Sequence, residues 1–340
     1  MKRLISIMVV VLFCFFLVCL TAATSHAQAK VTTLKYANFF PPANKVSVLA
    51  EQWCKEVEKK TNGRVKVNYF PGSALTGAAQ TYDSVIKGIA DIGLSFCAYT
   101  RGRFPLTEVI DLPLGYKSGY VGTKMANAYY SKLKPKEFDD VKVIYLHTSP
   151  PHRLFAKTPV NNLNDLKGLK IRSTGTSAKV VQALGGVPVA MPMSDAYDAL
   201  KKGVADGIVC PYEPMKGFKL GDVVSYCTPF GSAYTNVAYV VMNKNKWNSL
   251  PQEIKKIIDQ INAAWIEKQG KLWDELDQEG KEVFIQKGGK ILSLSKEEDD
   301  RWKNLLRPIL DEYVKTMKEK GLPSEKALKF CVDYLKTHQK

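Results

Sequence analysis

One short phrase occurs twice in this chain. TYDSVIKGIAD occupies residues 81–91, and AYDALKKGVAD occupies residues 196–206. Gly and Asp near the end of each copy favour a turn between a helix and a strand, so convergence on a common turn is one explanation. We interpret the phrase as one helix–turn–strand unit used in each half of the chain. The identical pairs are Tyr82 and Tyr197, Asp83 and Asp198, Lys87 and Lys202, Gly88 and Gly203, Ala90 and Ala205, and Asp91 and Asp206.

Predicted strands and helices alternate around both copies. The β-α-β order predicts a mostly parallel sheet flanked by helices in each half. A chain of 340 residues is also too long for one ordinary core, which favours two lobes. The apolar and alternating runs predict strands at 34–39, 64–70, 92–96, 141–149, 169–172, 187–191, 207–210 and 237–242.

A long helical pattern extends from Pro251 to about Gln286. At ~1.5 Å per residue it would span ~50 Å, more than the width of one small lobe, so we expect it to cross both lobes. The predicted fold is therefore α/β with two lobes, and ligands are expected in the cleft beyond the carboxyl ends of the strands. The predicted limits are 31–149 plus 238–277 for the first lobe, and 150–237 plus 278–340 for the second.

The first residues have the pattern of a secretory signal peptide. Lys2 and Arg3 precede an apolar run, and Ser25 and Ala27 fit the small positions before a cleavage point. We predict a signal peptide at residues 1–27 and a mature protein in the periplasm. An uncleaved anchor helix is the alternative, because the run approaches the ~20 residues that span a bilayer.

The net charge and the cysteine content of the sequence limit the classes of partner, and of metal or disulfide site, that we expect. The formal net charge is +16, which suits an anionic partner, but the lysines are scattered and no dense basic run indicates nucleic acid. Beyond the leader, five cysteines show no metal-binding spacing. We expect no required disulfide, although a Cys210–Cys227 bridge stays open. We predict no nucleic-acid partner, no metal and no cofactor.

Catalytic motifs are scarce in this sequence. Only four histidines occur, and His147 and His152 alone lie away from the leader and the tail. No nucleophile elbow, zinc-protease motif or phosphate-binding loop is present. The sequence therefore predicts a binding protein rather than an enzyme.

Arg172 is the strongest candidate for binding an acid. It ends the short strand of KGLKIRS and precedes a helix, so it should face the predicted cleft. Its planar guanidinium can hold a carboxylate through two parallel hydrogen bonds, which a lysine cannot do. The alternative is a structural ion pair with a surface acid such as Asp165.

DLKGLKIR, the following GVPVAMPMSDAYDALKKGVADG, EVEKKTNGRVKVNYFPGSALTG and IADIGLSF resemble the extracytoplasmic solute receptors of TRAP transporters. The resemblance runs from about Leu34 to Lys336. It implies a two-lobed fold like that of periplasmic binding proteins, which closes on an organic acid and delivers it to a membrane permease. The family's carboxylate-binding arginine falls on Arg172.

Other family positions are matched less closely. A second cationic residue of the family falls on His152, with Arg153 beside it, and both are candidates. Sialic-acid receptors carry Glu and Asn where this chain has Val209 and Cys210, and a polar acidic position of theirs corresponds to Phe96. These differences disfavour a sugar acid.

Aromatic side chains near the predicted strand ends suggest a hydrophobic carboxylate instead. Each of them could equally be a core residue. Glu213 could hold an amino group of the ligand or cap a helix, and two asparagines could supply hydrogen bonds. The further candidate ligand contacts are Asn38, Phe39, Phe96, Tyr99, Met193, Cys210, Tyr212, Glu213, Tyr234 and Asn236.

The sequence thus predicts a monomeric receptor for a small organic acid, and its aromatic residues favour an aromatic or otherwise hydrophobic one. Two alternatives stay open. One is a secreted enzyme for an acidic small molecule, with His152 and Glu213 as acid–base candidates. The other is a ligand-sensing subunit for a signalling protein.

Overall fold

The computed structural model describes residues 31–339, and the predicted leader at residues 1–27 lies outside this range. Two mixed sheets, with helices packed around them, make up the described part. Within it, no helix is both long enough and apolar enough to span a membrane.

The elements follow the predicted alternation. The first part of the chain forms β1 (Thr32–Asn38), α1 (Lys45–Lys60), β2 (Val65–Phe70), α2 (Thr81–Ile86), β3 (Ile92–Phe96), α3 (Gly119–Leu133) and β4 (Val141–Thr148). The middle part forms β5 (Arg153–Ala156), α4 (Leu163–Leu166), β6 (Lys170–Ser173), α5 (Thr176–Ala183), β7 (Val187–Ala190), α6 (Ala196–Lys201), β8 (Gly207–Cys210), α7 (Glu213–Gly217) and β9 (Tyr226–Thr228). The last part forms β10 (Val237–Asn243), α8 (Lys244–Ser249), α9 (Gln252–Gln286), β11 (Lys290–Ile291), α10 (Lys296–Glu319) and α11 (Ser324–His338).

Each sheet contains a single strand that runs against the others. The first sheet has the order β2-β1-β3-β10-β4, and β10 is antiparallel to both neighbours. The second has the order β11-β9-β5-β8-β6-β7, and β5 is antiparallel to both neighbours. The predicted α/β fold with mostly parallel sheets is therefore confirmed.

The chain changes sheet between β4 and β5, and it returns between β9 and β10. We predicted lobe limits at 149/150 and 237/238, in the same two connections; the division into lobes itself stays a prediction. The predicted division also groups residues 278–340 with the second lobe, whereas α11 packs against α3, which itself packs on β4 of the first sheet.

Both copies of the repeated phrase form the same local structure. α2 ends before Gly88, which has φ +74°, and β3 follows; α6 ends before Gly203, which has φ +73°, and β8 follows. Glycine adopts this left-handed conformation at little cost, which explains how each helix is terminated within a short turn.

The aspartate that ends each copy of the phrase forms two hydrogen bonds with a neighbouring strand. The Asp91 carboxylate accepts a hydrogen bond from the Lys35 amide at 2.8 Å, and the Asp91 amide donates to the Lys35 carbonyl at 2.9 Å. Asp206 makes the same two contacts with Lys170, at 2.9 and 2.7 Å. The repeat in the sequence is thus a strand-pairing unit used once in each sheet.

The long helix α9 packs against β4 of the first sheet and against α7, which follows β8 of the second sheet. Near its middle, the Asp274 carboxylate accepts hydrogen bonds from the amides of Gly119 and Tyr120 at the start of α3, at 2.6 and 3.2 Å. One turn later, Asp277 accepts a hydrogen bond from the Tyr212 amide at 2.6 Å. A Cβ atom at Gly280 would lie 2.1 Å from the Tyr212 carbonyl oxygen, so this glycine lets the segment before α7 approach the helix closely.

All five cysteines of residues 31–339 are buried as free thiols. Cys227 donates a hydrogen bond through its thiol to the Tyr212 hydroxyl at 3.3 Å. Burial raises the pKa of the Cys227 thiol to about 12, which keeps it protonated at neutral pH.

Candidate ligand-binding site

A cavity of about 30 Å³ lies between the ends of the two sheets. Strand ends of the first sheet supply one wall, strand ends of the second supply the opposite wall, and α9 contributes one tryptophan. The lining residues are Phe39, Phe40, Phe96, Tyr99, Ser149, His152, Arg172, Met193, Pro211, Glu213, Pro214, Phe218, Asn236 and Trp273.

Arg172 is buried at this cavity, with 2% of its surface exposed. Its Nε donates a hydrogen bond to the Met191 carbonyl at 3.0 Å, which fixes the plane of the guanidinium. Among residues 31–339, its buried Nη2 has no hydrogen-bond partner. Asp165 is engaged elsewhere, by the Asn161 amide and the Asn162 side chain, so the alternative of an ion pair with Asp165 is not what the structure contains.

His152 lies on the same side of the cavity as a neutral ring. Burial, together with the nearby charges of Arg172 and Arg153, lowers the pKa of His152 well below its ordinary value. Nε2 forms a hydrogen bond with the Ser149 hydroxyl at 2.9 Å. The other ring nitrogen, Nδ1, is buried and has no partner within the described part of the chain. His152 can therefore offer one free nitrogen to a ligand.

Aromatic rings form much of the wall. Phe96 and Tyr99 meet edge to face with ring centroids 5.5 Å apart, and Phe39 lies 5.6 Å from Tyr99. The Tyr99 hydroxyl accepts a hydrogen bond from the Met193 amide at 3.2 Å, which joins the wall of the first sheet to that of the second. Flat apolar surfaces of this kind pack well against another ring.

Glu213 brings a carboxyl group to the same cavity and is 3% exposed. Its Oε1 accepts a hydrogen bond from the Asn44 side-chain amide at 2.6 Å. Burial raises the pKa of Glu213 to about 7, and the Asn44 hydrogen bond opposes this rise. Close to neutral pH, this side chain can therefore act as a hydrogen-bond donor as well as an acceptor.

Asn236 lines the cavity beside a buried acid. Its Nδ2 donates to one oxygen of Asp111 at 2.9 Å, and the Val237 amide donates to the other at 2.7 Å. Burial raises the pKa of Asp111 to about 8 despite these two hydrogen bonds. The arrangement holds the chain in place where it enters β10.

Eight predicted site residues therefore meet at one cavity, and five lie elsewhere. Arg153 forms an ion pair with Asp277 at 3.1 Å and stacks over the Tyr212 ring at 4.3 Å. Cys210, on β8 in register with Arg153, is fully buried.

Tyr212 and the remaining two predicted residues support the cavity from outside. Tyr212 packs against Phe155 in the core, with ring centroids 5.3 Å apart. The Tyr234 ring lies against His152, with centroids 4.5 Å apart. Asn38 accepts a hydrogen bond from the Phe40 amide at 3.1 Å, which shapes the turn that presents the phenylalanines.

Six lining residues were not predicted from the sequence: Phe40, Ser149, Pro211, Pro214, Phe218 and Trp273. Phe40 follows a predicted candidate directly, so the doublet FFPP could have indicated it. Trp273 carries no such signal, because it belongs to the apolar face of α9 and reaches the cavity only through the packing of that helix.

Residues 37–316 match the model of the bacterial extracellular solute-binding protein family 7. The chain belongs to this family. Within residues 31–339, no group of three or more His, Cys, Asp or Glu side chains is placed to hold a metal ion.

Members of family 7 with known ligands resemble this chain over nearly its whole length. A TRAP solute binding protein from a marine metagenome is specific for aromatic acid ligands. It is 32% identical, with a TM-score of 0.86, and the match covers 91% of this chain and 100% of that one. Its structures contain metahydroxyphenylacetate and 3-hydroxybenzoate.

Two further relatives bind other acids. A TRAP solute binding protein from Rhodoferax ferrireducens T118, in complex with benzoate, is 27% identical with a TM-score of 0.85, over 91% of this chain and 99% of that one. The C4-dicarboxylate-binding periplasmic protein of Rhodobacter capsulatus is 26% identical, over 90% of this chain and 93% of the relative. These matches confirm the predicted resemblance, and the chain is a TRAP-type extracytoplasmic solute receptor.

Proposed function

We propose that this receptor captures an aromatic carboxylate between its two sheets. The observation that carries the proposal is the buried Arg172 guanidinium, whose Nη2 lacks a partner within residues 31–339 while aromatic rings line the same cavity. A buried donor without an acceptor is costly, and a ligand carboxylate would satisfy it with a charge-assisted hydrogen bond.

In this proposal each part of the ligand has its own contacts. The carboxylate binds Arg172, and the free Nδ1 of His152 lies within the same lining. The ring packs between Phe39, Phe96 and Tyr99. Met193, Asn236 and Glu213 complete the proposed contacts. The named ligands of the marine and Rhodoferax relatives support an aromatic acid, whereas the C4-dicarboxylate relative supports only the carboxylate.

Binding requires the two walls to move apart and close again. The cavity of about 30 Å³ is much smaller than the ~150 Å³ of a cavity that holds benzene. A ring-bearing acid therefore enters an opened cleft. Contacts from both walls then favour the closed form, since only a difference in affinity between the two forms can shift their equilibrium.

The receptor acts in the periplasm as a monomer and delivers the acid to a membrane permease. The predicted leader at residues 1–27 and the family to which the chain belongs support this location and this partner. The relatives named above are solute-binding proteins, which supports a role in capture rather than in catalysis.

Substitution of Arg172 tests the proposal. Arg172→Ala should weaken benzoate binding by about 2–5 kcal/mol, because the partner of a buried charge is removed. This corresponds to a roughly 30-fold to several-thousand-fold higher Kd by titration calorimetry. Arg172→Lys should also bind weakly, because the planar fork is lost.

Arg153→Lys is the matched control. Arg153 lies in the same sheet but pairs with Asp277, so its replacement should leave the affinity for benzoate within a factor of about three. Unchanged benzoate affinity in Arg172→Ala, or binding of C4-dicarboxylates and sugar acids but of no aromatic acid by the unaltered receptor, would contradict the proposal.

A further inference from the structure

Glu213 is a carboxyl group in a cavity that is otherwise lined largely by rings and apolar side chains. It follows β8, whereas Arg172 lies on the neighbouring strand β6, in register with Ile208. Glu213 thus lies five residues after Ile208, the β8 residue that pairs with Arg172 on β6. Both side chains line the same cavity.

Hydrogen bonds within the described residues engage only one of the two carboxyl oxygens of Glu213. Its Oε1 accepts the hydrogen bond from Asn44, and Oε2 accepts none from the residues that the structure describes. No Lys or Arg of residues 31–339 lies within ion-pair distance of it, although sixteen other ion pairs occur in the same range. A carboxyl group that only capped α7 or held α1 would not need to line the cavity.

We propose that Glu213 recognises a hydroxyl group on the ring of the ligand, away from the carboxylate, so that the preferred substrates are hydroxyaryl carboxylates. This inference rests on the proposed function and adds a specificity-determining residue to it. Glu213 takes the hydroxyl of the ring while Arg172 takes the carboxylate.

The surroundings favour a hydroxyl over an ammonium group. One neutral amide, that of Asn44, is the only group among the described residues that donates a hydrogen bond to Glu213. This single hydrogen bond only partly offsets burial, which raises the pKa of Glu213 to about 7. A group with a pKa of about 7 is present in both protonation states at neutral pH; a hydroxyl can donate to the ionised form and accept from the acid form, whereas an ammonium group is matched only by the ionised form.

Gly217 makes room for this arrangement. A Cβ atom at Gly217 would lie 2.0 Å from Oε1 of Glu213 and 2.6 Å from Nδ2 of Asn44. The absence of a side chain there leaves room for the Glu213 carboxyl group beside the Asn44 amide. Alanine at this position would displace the carboxyl group without removing it.

The test compares ligands that differ by one hydroxyl group. Titration calorimetry at pH 7 should give a Kd for 3- or 4-hydroxybenzoate about tenfold or more below that for benzoate, because a buried polar group gains its partner. 2-Hydroxybenzoate, whose hydroxyl lies beside the carboxylate, should show no such preference. 3-(Aminomethyl)benzoate should bind more weakly than benzoate.

Variants of Glu213 assign the preference to this residue. Glu213→Met should reduce the ratio of the benzoate and hydroxybenzoate Kd values to about one, and Glu213→Gln should retain most of it, because the amide still donates and accepts hydrogen bonds. Gly217→Ala should lower the ratio as well, because it displaces the Glu213 carboxyl group. This variant provides the test if Glu213→Met does not fold. Glu275→Met, the same chemical change at an exposed residue of α9 that does not line the cavity, should leave the ratio unchanged.

The outcomes separate the two proposals. Equal affinities of the unaltered receptor for benzoate and all hydroxybenzoates, a preference for the aminomethyl ligand, or equal losses for both ligand types in Glu213→Met would overturn the role of Glu213 alone. If neither benzoate nor any hydroxybenzoate binds, the proposed function itself fails.

Discussion

Arg153 and Arg172 illustrate what a sequence can assign at the scale of a single residue. The position of Arg172 at the end of a strand, together with the family resemblance, was enough to predict that it faces the cleft. Arg153 was a weaker candidate, kept because it follows His152, and its partner is Asp277 on a helix far along the chain. Tertiary pairing of this kind leaves no local pattern, so the sequence could not show that Arg153 is held in a structural ion pair.

Asp111 leads to a prediction about pH. Its pKa is raised by burial from 3.8 to about 8, so the folded protein holds a proton that the unfolded chain releases above pH 4. Stability from this group is present below pH 4 and is lost as pH rises toward 8. Asp111→Asn cannot release a proton, so the unaltered protein should lose stability relative to the variant over this range, by up to roughly 1.4 kcal/mol per pH unit.

Urea unfolding of both proteins at several pH values measures this difference. Subtracting the two curves removes the contributions of His147 and His152, which are common to both. Asp165→Asn, at a surface site, provides the comparison, because its hydrogen bonds lie at exposed positions. A difference that stays constant between pH 4 and pH 8 would contradict the assignment.

At the scale of elements, the long periodic helix was predictable, as were several four-residue strands, but three short strands of the second sheet were not. The helix predicted from Pro251 to Gln286 is observed as Gln252–Gln286. The short strands β5, β9 and β11, of four, three and two residues, were not predicted as strands. So few residues show no periodicity of their own, and these strands form because the second sheet provides partners for them.

The repeated aspartates allow a matched comparison between the two sheets. Asp91 is buried, whereas Asp206 is partly exposed, and both accept a hydrogen bond from a strand amide. Asp91→Ala should lower the free energy of unfolding by about 2–3 kcal/mol, and Asp206→Ala by about 1 kcal/mol, because water replaces the lost partner more readily at Asp206. Denaturant unfolding measures both values.

Asp91→Asn serves as the control, since its amide oxygen can still accept the hydrogen bond from Lys35. If Asp91→Ala and Asp91→Asn lowered the free energy of unfolding equally, the hydrogen bond from the Lys35 amide would not be the source of the stabilisation at Asp91. A larger loss in Asp206→Ala than in Asp91→Ala would contradict the argument from burial.

At the scale of the whole molecule, the formal net charge is +16, and 16 − 2 = +14 without Lys2 and Arg3 of the predicted leader; this positive charge should accelerate the capture of an anion. The association rate of benzoate should fall severalfold between 20 mM and 500 mM salt, because the screening length becomes shorter than the molecule. The dissociation rate should change much less, since the carboxylate is then buried at Arg172. Stopped-flow fluorescence can measure both rates, because Trp273 lines the cavity.

Neutral benzamide is the control ligand, and its association rate should not depend on salt. Trp273→Phe should remove much of the fluorescence change and thereby confirm its source. A benzoate association rate that is the same at both salt concentrations would show that the overall charge does not steer the ligand.

The two-sheet architecture could be inferred from the repeat and the alternation of elements, but the cavity could not be assembled completely. Trp273 reaches it only because α9 crosses both sheets, and Phe218 reaches it from the segment after α7. Neither follows a predicted strand end. Their placement depends on the packing of whole elements, which emerges only in the folded molecule.

The contacts along α9 also set limits on how the length of this chain can vary. Asp274 meets α3, and Gly280 meets the segment before α7, so the spacing between them must match two separate partners. One inserted residue would turn everything beyond it by about 100° and advance it by about 1.5 Å. We therefore expect that no insertion between Asp274 and Gly280 can preserve both contacts.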